Sequence, residues 1–89
     1  MKNQLESLRR KIDEIDGGMV NLLAKRMKVV RRIGEYKKKN NIPALQKDRF
    51  NRVLESKVNQ GKKLGLNPAL IEKIYHAIHE AALKIEKSL

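Results

Sequence analysis

Near the start of the chain, Leu5, Leu8, Ile12, Ile15, Met19, Leu22, Arg26, Val29, Ile33 and Tyr36 follow one another in alternating steps of three and four. Such alternation returns each side chain to one face of an α-helix, and sustained over this length it is the seam of a long helix packing against other helices. One member of the stripe, Arg26, is charged. Burying an unpaired guanidinium costs several kcal/mol or more, so a carboxylate of the fold or a bound anion is expected to meet it.

The stripe predicts a first helix from about residue 3 to about residue 40. Gly17 and Gly18 oppose it, each costing about 1 kcal/mol in a helix interior relative to Ala. The heptad phase is nevertheless the same before and after them, whereas a loop resets it. One continuous helix is therefore expected, with a break at the glycines as the weaker alternative. Pro43 disfavours helix at Ile42, so residues 40–43 form a turn. A second helix is expected over about 46–60, with Phe50, Val53, Leu54 and Val58 as its apolar face and Gly61 and Gly65 at its exit. Asn67 before Pro68 pairs a capping side chain with proline at the first helical position, and starts a third helix. Ile71, Ile74, Tyr75, Ile78, Ala82, Ile85 and Leu89 then recur at helical spacing to the last residue. The fold class is all-α, three helices in a single domain over residues 1–89.

A helix of some 35 residues is about 50 Å long, whereas a compact chain of 89 residues has a radius of gyration of about 12 Å. Two shorter helices cannot cover such a seam. A symmetric homodimer in which the long helices pack together is the economical solution, because the same patch on each chain covers the other.

Composition narrows the chemistry. There is no cysteine, so disulfides and thiolate chemistry are excluded, and two histidines are too few for most metal sites. His76, His79 and Glu80 only superficially resemble a zinc-protease motif, which needs histidines four apart with Glu directly after the first. No Gly-rich phosphate loop and no nucleophile elbow occurs. No apolar run reaches the length of a membrane span or signal-peptide core, and a cytoplasmic protein without cofactor or metal is expected. The formal charge of +11, from 21 Lys and Arg against 10 Asp and Glu, points to an anionic partner: nucleic acid, phosphate or small carboxylates.

Several cations border the apolar stripes. Lys37 is 11 residues after Arg26, close to three full turns, so it projects in a similar direction about 16 Å further along the axis. Arg9 is 17 residues before Arg26, about 25 Å away on the same rod, too far to share a small ligand within one chain. In an antiparallel dimer it could reach the site of the other copy. Arg49 beside Phe50, and Glu86 four residues after Ala82, border the second and third stripes. Taken singly, Arg9 and Lys37 read as flanking residues with packed stems and solvated charges, and Arg49 and Glu86 as interhelical ion-pair partners. Taken together, four cations and one carboxyl around an apolar interior read as a pocket for a small polyanion, whose identity the spacing does not give.

The ordered segments Leu8-Arg9-Arg10-Lys11-Ile12-Asp13-Glu14-Ile15-Asp16, Leu22-Leu23-Ala24-Lys25-Arg26, Ile33-Gly34-Glu35-Tyr36-Lys37 and Asp48-Arg49 with Val53-Leu54 resemble the all-helical class of chorismate mutase. That resemblance runs from Leu5 to Glu86. It implies an intertwined dimer of three-helix chains, and conversion of chorismate to prephenate in aromatic amino-acid biosynthesis. By position it implies that Arg26 and Arg49 bind the substrate carboxylates, that Arg9 enters from the other chain, and that Lys37 contacts the ether oxygen and a carboxylate. Glu86 is implied as second donor to that oxygen, and Gln46 as a loop-side contact to the ring hydroxyl. A carboxyl donates only while protonated, so activity is expected to be highest in mild acid, and Glu86→Gln to remove the fall as pH rises.

Two positions depart from the family pattern. Phe50 stands where many members carry a Glu that holds the ring hydroxyl, and Ala82 where Ser is frequent. Two other readings stay open beside the mutase: an isochorismate pyruvate lyase on the same scaffold, and a basic helical nucleic-acid-binding module. The second is favoured by charge and opposed by few aromatics and by cations spread over every segment. Neither specific nucleic acid nor a membrane is expected as a partner.

Overall fold

The computed structural model describes residues 2–89, and its elements are α1 (Lys2–Lys39), α2 (Lys47–Lys63) and α3 (Pro68–Lys87). The all-α expectation holds: the described residues contain three helices and no strand. Helix α1 runs through Gly17 and Gly18 unbroken, as the constant heptad phase required. No described helix is long and apolar enough to cross a membrane.

Both connections leave their helices in the same way. At the end of α1, Ile42 N donates to Lys37 O (2.8 Å) and Asn41 N to Lys38 O (3.4 Å), with Asn41 at φ 56°. At the end of α2, Leu66 N donates to Gly61 O (2.8 Å) and Gly65 N to Lys62 O (3.1 Å), with Gly65 at φ 77°. Each is a Schellman motif, which needs one left-handed residue and takes Gly or Asn there. Gly65 is thus the stop signal of α2. Gly61 is not an exit residue, as expected from sequence, but lies inside a helix that continues to Lys63. It is buried, and a Cβ there would come within 2.9 Å of Ile71 Cγ1, so its role is close approach of α2 to α3. The start of α3 follows the sequence reading: Asn67 Oδ1 accepts from Ala69 N at 2.8 Å, with Pro68 in the first turn.

Helix α3 packs on both other helices, which make no close backbone approach to each other. Its contact with α1 also passes through a glycine. A Cβ on Gly34 would lie 2.7 Å from Leu89 Cδ1 and 3.2 Å from Glu86 Cα. Val30 on α1 and Ala82 on α3 are the only buried apolar side chains among the described residues.

The face of α1 that α3 covers, Val30 and Gly34, lies beside the heptad seam. The seam itself is bare: Leu5, Leu8, Ile12, Ile15, Met19 and Leu22 are each 50–65% exposed, and Val29, Ile33 and Tyr36 remain exposed further along. From Asn3 to Arg26 every residue of α1 is exposed. The molecule is accordingly 59 Å long with a radius of gyration of 16.7 Å, against about 12 Å for a compact chain of this length. Its accessible surface of 7604 Å² exceeds the roughly 5,400 Å² of a compact protein of its mass.

Candidate active site

All three helices contribute to one cleft of about 350 Å³, at the lower end of the roughly 300–1,000 Å³ range of small-molecule sites. Its apolar floor comes from Val30 and Ile33 of α1, Val53 of α2 and Ala82 of α3. Arg26 and Lys37 enter from α1, Arg49 and Phe50 from α2, and Tyr75, His79 and Glu86 from α3, while Ala44 and Gln46 close it from the connection.

Each polar residue is placed by local helix geometry. Lys37 lies in the last turn of α1, where the Schellman turn folds the connection back, so that its Nζ donates to Ala44 O at 2.8 Å. The same Nζ is 2.8 Å from Glu86 Oε1, the only ion pair among the described residues. Its geometry is electrostatic rather than directional: Oε1 is buried and accepts no hydrogen bond. The close approach at Gly34 brings Glu86 to this position. An ammonium carries three donors, and with one on Ala44 O Lys37 retains donors for a ligand while its charge faces Glu86.

Arg26 has no carboxylate partner among the described residues. In the single chain it is exposed rather than enclosed in a seam, and it faces the same cleft as Arg49. Of the two partners its sequence position called for, the structure offers no carboxylate and leaves room for an anion. Arg49 and Glu86 are not paired with each other, since Glu86 is taken by Lys37. Gln46 immediately precedes α2 and donates its Nε2 to Pro43 O at 3.0 Å. Thus five of the six residues singled out from sequence, Arg26, Lys37, Gln46, Arg49 and Glu86, converge. The sixth does not. Arg9 is exposed on the bare half of α1, two helical turns from its start.

The titratable side chain of the cleft that the sequence reading missed is His79. His79 stacks on the Phe50 ring, centroids 4.0 Å apart and planes at 24°, and His76 meets the same ring edge-on at 5.1 Å and 62°. Burial pushes the His79 pKa below the usual imidazole value, and the charges of His76, Arg26 and Lys37 push the same way, against Glu86. A signal was present: Tyr75, His79, Ala82 and Glu86 recur at steps of four, three and four, which puts them on one face of α3.

The family model for chorismate mutase type II matches residues 8–87. The chain belongs to the chorismate mutase type II family. The resemblance read from the four motifs is thereby borne out. A bifunctional chorismate mutase/prephenate dehydratase of Buchnera aphidicola subsp. Schizaphis graminum (strain Sg) is 42% identical over 99% of this chain and 23% of its own length. A protein with the same name from Aquifex aeolicus (strain VF5) is 37% identical over 97% of this chain and 25% of its own. The T-protein of Enterobacter agglomerans is 33% identical over 88% of this chain and 21% of its own. The chain therefore spans about a quarter or less of these curated relatives, and what it shares with them is a mutase-family domain.

Proposed function

We propose that this domain is a chorismate mutase, rearranging chorismate to prephenate as a homodimer with no cofactor. The observation that carries the reading is the convergence of Arg26, Lys37, Arg49 and Glu86 from three helices on one cleft with an apolar floor. Chorismate carries two carboxylates and an enolpyruvyl ether. Its rearrangement is unimolecular and pericyclic, so it needs neither nucleophile nor general base. What it requires is a held chair-like conformer and stabilisation of the negative charge that grows on the ether oxygen.

Arg26 and Arg49 hold the carboxylates, their planar forks giving orientation as well as attraction. Lys37 directs a remaining donor to the ether oxygen, and Glu86 beside it is the second group at that oxygen. Gln46 meets the substrate from the loop. Arg9 of a second copy completes the set. This last assignment is supported by the exposed seam, which needs a cover, and by distance: 17 residues of helix put Arg9 about 25 Å from the Arg26 of its own chain. An antiparallel partner packed along the seam brings its Arg9 toward that cleft.

The test follows the loss of chorismate absorbance with identification of the product. Prephenate is expected, with no turnover of isochorismate. Release of pyruvate from isochorismate would instead make the domain a lyase, and inertness toward both would sink the assignment.

A further inference from the structure

The proposed reaction gives work to Arg26, Arg49, Lys37 and Glu86 but none to His79. This half-buried imidazole lines the same cleft. Stacking on Phe50 at 4.0 Å occupies one face of its ring, while the ring nitrogens lie in the ring plane and stay free of the stack. Neither nitrogen is used in a side-chain hydrogen bond among the described residues.

The other charged groups of the cleft are poorly suited to one part of the substrate. Arg26, Arg49 and Lys37 can only donate, and Glu86 is held by Lys37. A ring hydroxyl carries its own proton and needs an acceptor for it. A neutral imidazole offers one acceptor nitrogen. Burial, followed by the charges of His76 on α3 and of Arg26 and Lys37 on α1, keeps His79 toward that neutral form, and only Glu86 opposes. Arg49 of α2 adds a further positive charge to the cleft. Gln46 has an amide oxygen, but it is exposed, so a bond to it replaces one to water with less gain.

We propose that His79 is the specificity-determining acceptor for the substrate's ring hydroxyl, and that Phe50 is a positioning residue holding the imidazole edge toward the cleft. The inference rests on the chorismate reading above. It gives the phenylalanine a purpose where the resemblance leaves a missing hydrogen bond, because the aromatic ring fixes the plane of the group that supplies one.

The test uses the full chain as wild type, His79→Leu, His79→Gln and Phe50→Leu. It measures kcat and KM for chorismate, with the competitive inhibition constant of the analogue in which hydrogen replaces the ring hydroxyl. His79→Leu should raise KM about tenfold, the order of one hydrogen bond in a partly desolvated site, while kcat changes much less. Affinity for the analogue should be the same in wild type and His79→Leu. Phe50→Leu should fall between, and His79→Gln should recover part of the loss. Because burial holds the His79 pKa below the ordinary imidazole value, wild-type KM should rise only in acid beneath the usual imidazole range, and His79→Leu should not share that rise. An unchanged KM in His79→Leu, or a parallel loss of affinity for the analogue, overturns the role. Should the Leu variant fail to fold, a wild type that binds chorismate and the analogue equally well overturns it too. Failure of the wild type to turn over chorismate removes the functional reading itself, and is seen before any variant is made.

Discussion

The two halves of α1 carry the same heptad pattern and meet different fates. Beyond Arg26, Val30 and Gly34 lie under α3, and the helix ends in a turn that fixes Lys37 against Glu86. Before it, six large apolar seam residues and Arg9 stand with nothing against them. A glycine marks each half and means opposite things. At Gly34 a side chain would strike Leu89 and Glu86, whereas at Gly17 it would meet nothing within 4 Å. The contrast teaches that a periodic apolar stripe specifies a helix and a face, but not what covers the face. One half is covered by the chain's own fold, and the other is left exposed.

The most damaging way to break this contrast is a charge on the bare half. Ile15→Glu should abolish the dimer and with it activity, because an unpaired carboxylate at a helix seam costs several kcal/mol. Sedimentation at micromolar concentration should show the wild type as a dimer and this variant as a monomer of reduced helicity. A compact wild-type monomer with a covered seam would refute the architecture.

Joining the two halves chemically is the next test. Arg9→Ala and Arg26→Ala should each lower kcat/KM by about 100- to 1,000-fold, the loss expected when a charged contact to the transition state is removed. Refolded together in equal amounts, they should recover about a quarter of wild-type activity, since in a symmetric pair half the dimers are mixed and each mixed dimer has one intact site. No recovery in confirmed heterodimers would place Arg9 outside the site.

Beside the covered half, Glu86→Ala should lose about 100-fold in kcat, the lower end of the loss when one preorganised transition-state contact is removed. Glu86→Gln keeps a donor in place of the carboxyl and should stay active. A folded but inactive Gln variant would remove Glu86 from its assigned role.

The glycines give the smallest effects and sharpen the comparison most directly. Gly34→Ala should destabilise by about 1–3 kcal/mol through overpacking and lower activity by displacing Glu86. Gly17→Ala should stabilise by about 0.5–1 kcal/mol through helix propensity alone. Thermal unfolding of the two variants checks both signs.

Much of the fold was legible in order along the chain. The step of three and four carried α1 through two glycines, and the Asn67-Pro68 pair marked the start of α3 to the residue. Gly61 was misread as a stop because sequence gives no distance between helices, and only the packing of Ile71 reveals why a side chain is absent there. Lys37 and Glu86 were each marked by their positions on apolar stripes, yet nothing local pairs residues 49 positions apart. His79 was passed over because it was judged against a metal motif and not against the face of α3 it shares with Glu86.

By itself, the sequence determined what depends on neighbours within a few turns: three helices, their caps, the seam, the cationic residues that border it, and the family motifs they compose. The tertiary structure decided what depends on distance between helices. It brought Arg26 and Arg49 to one cleft, set Glu86 against Lys37 through the gap at Gly34, and laid His79 on Phe50. It also left the seam of α1 uncovered. The physical reason is range: capping and periodicity are short-range backbone terms written residue by residue, while a cleft is made by close packing of surfaces whose separation no single segment encodes.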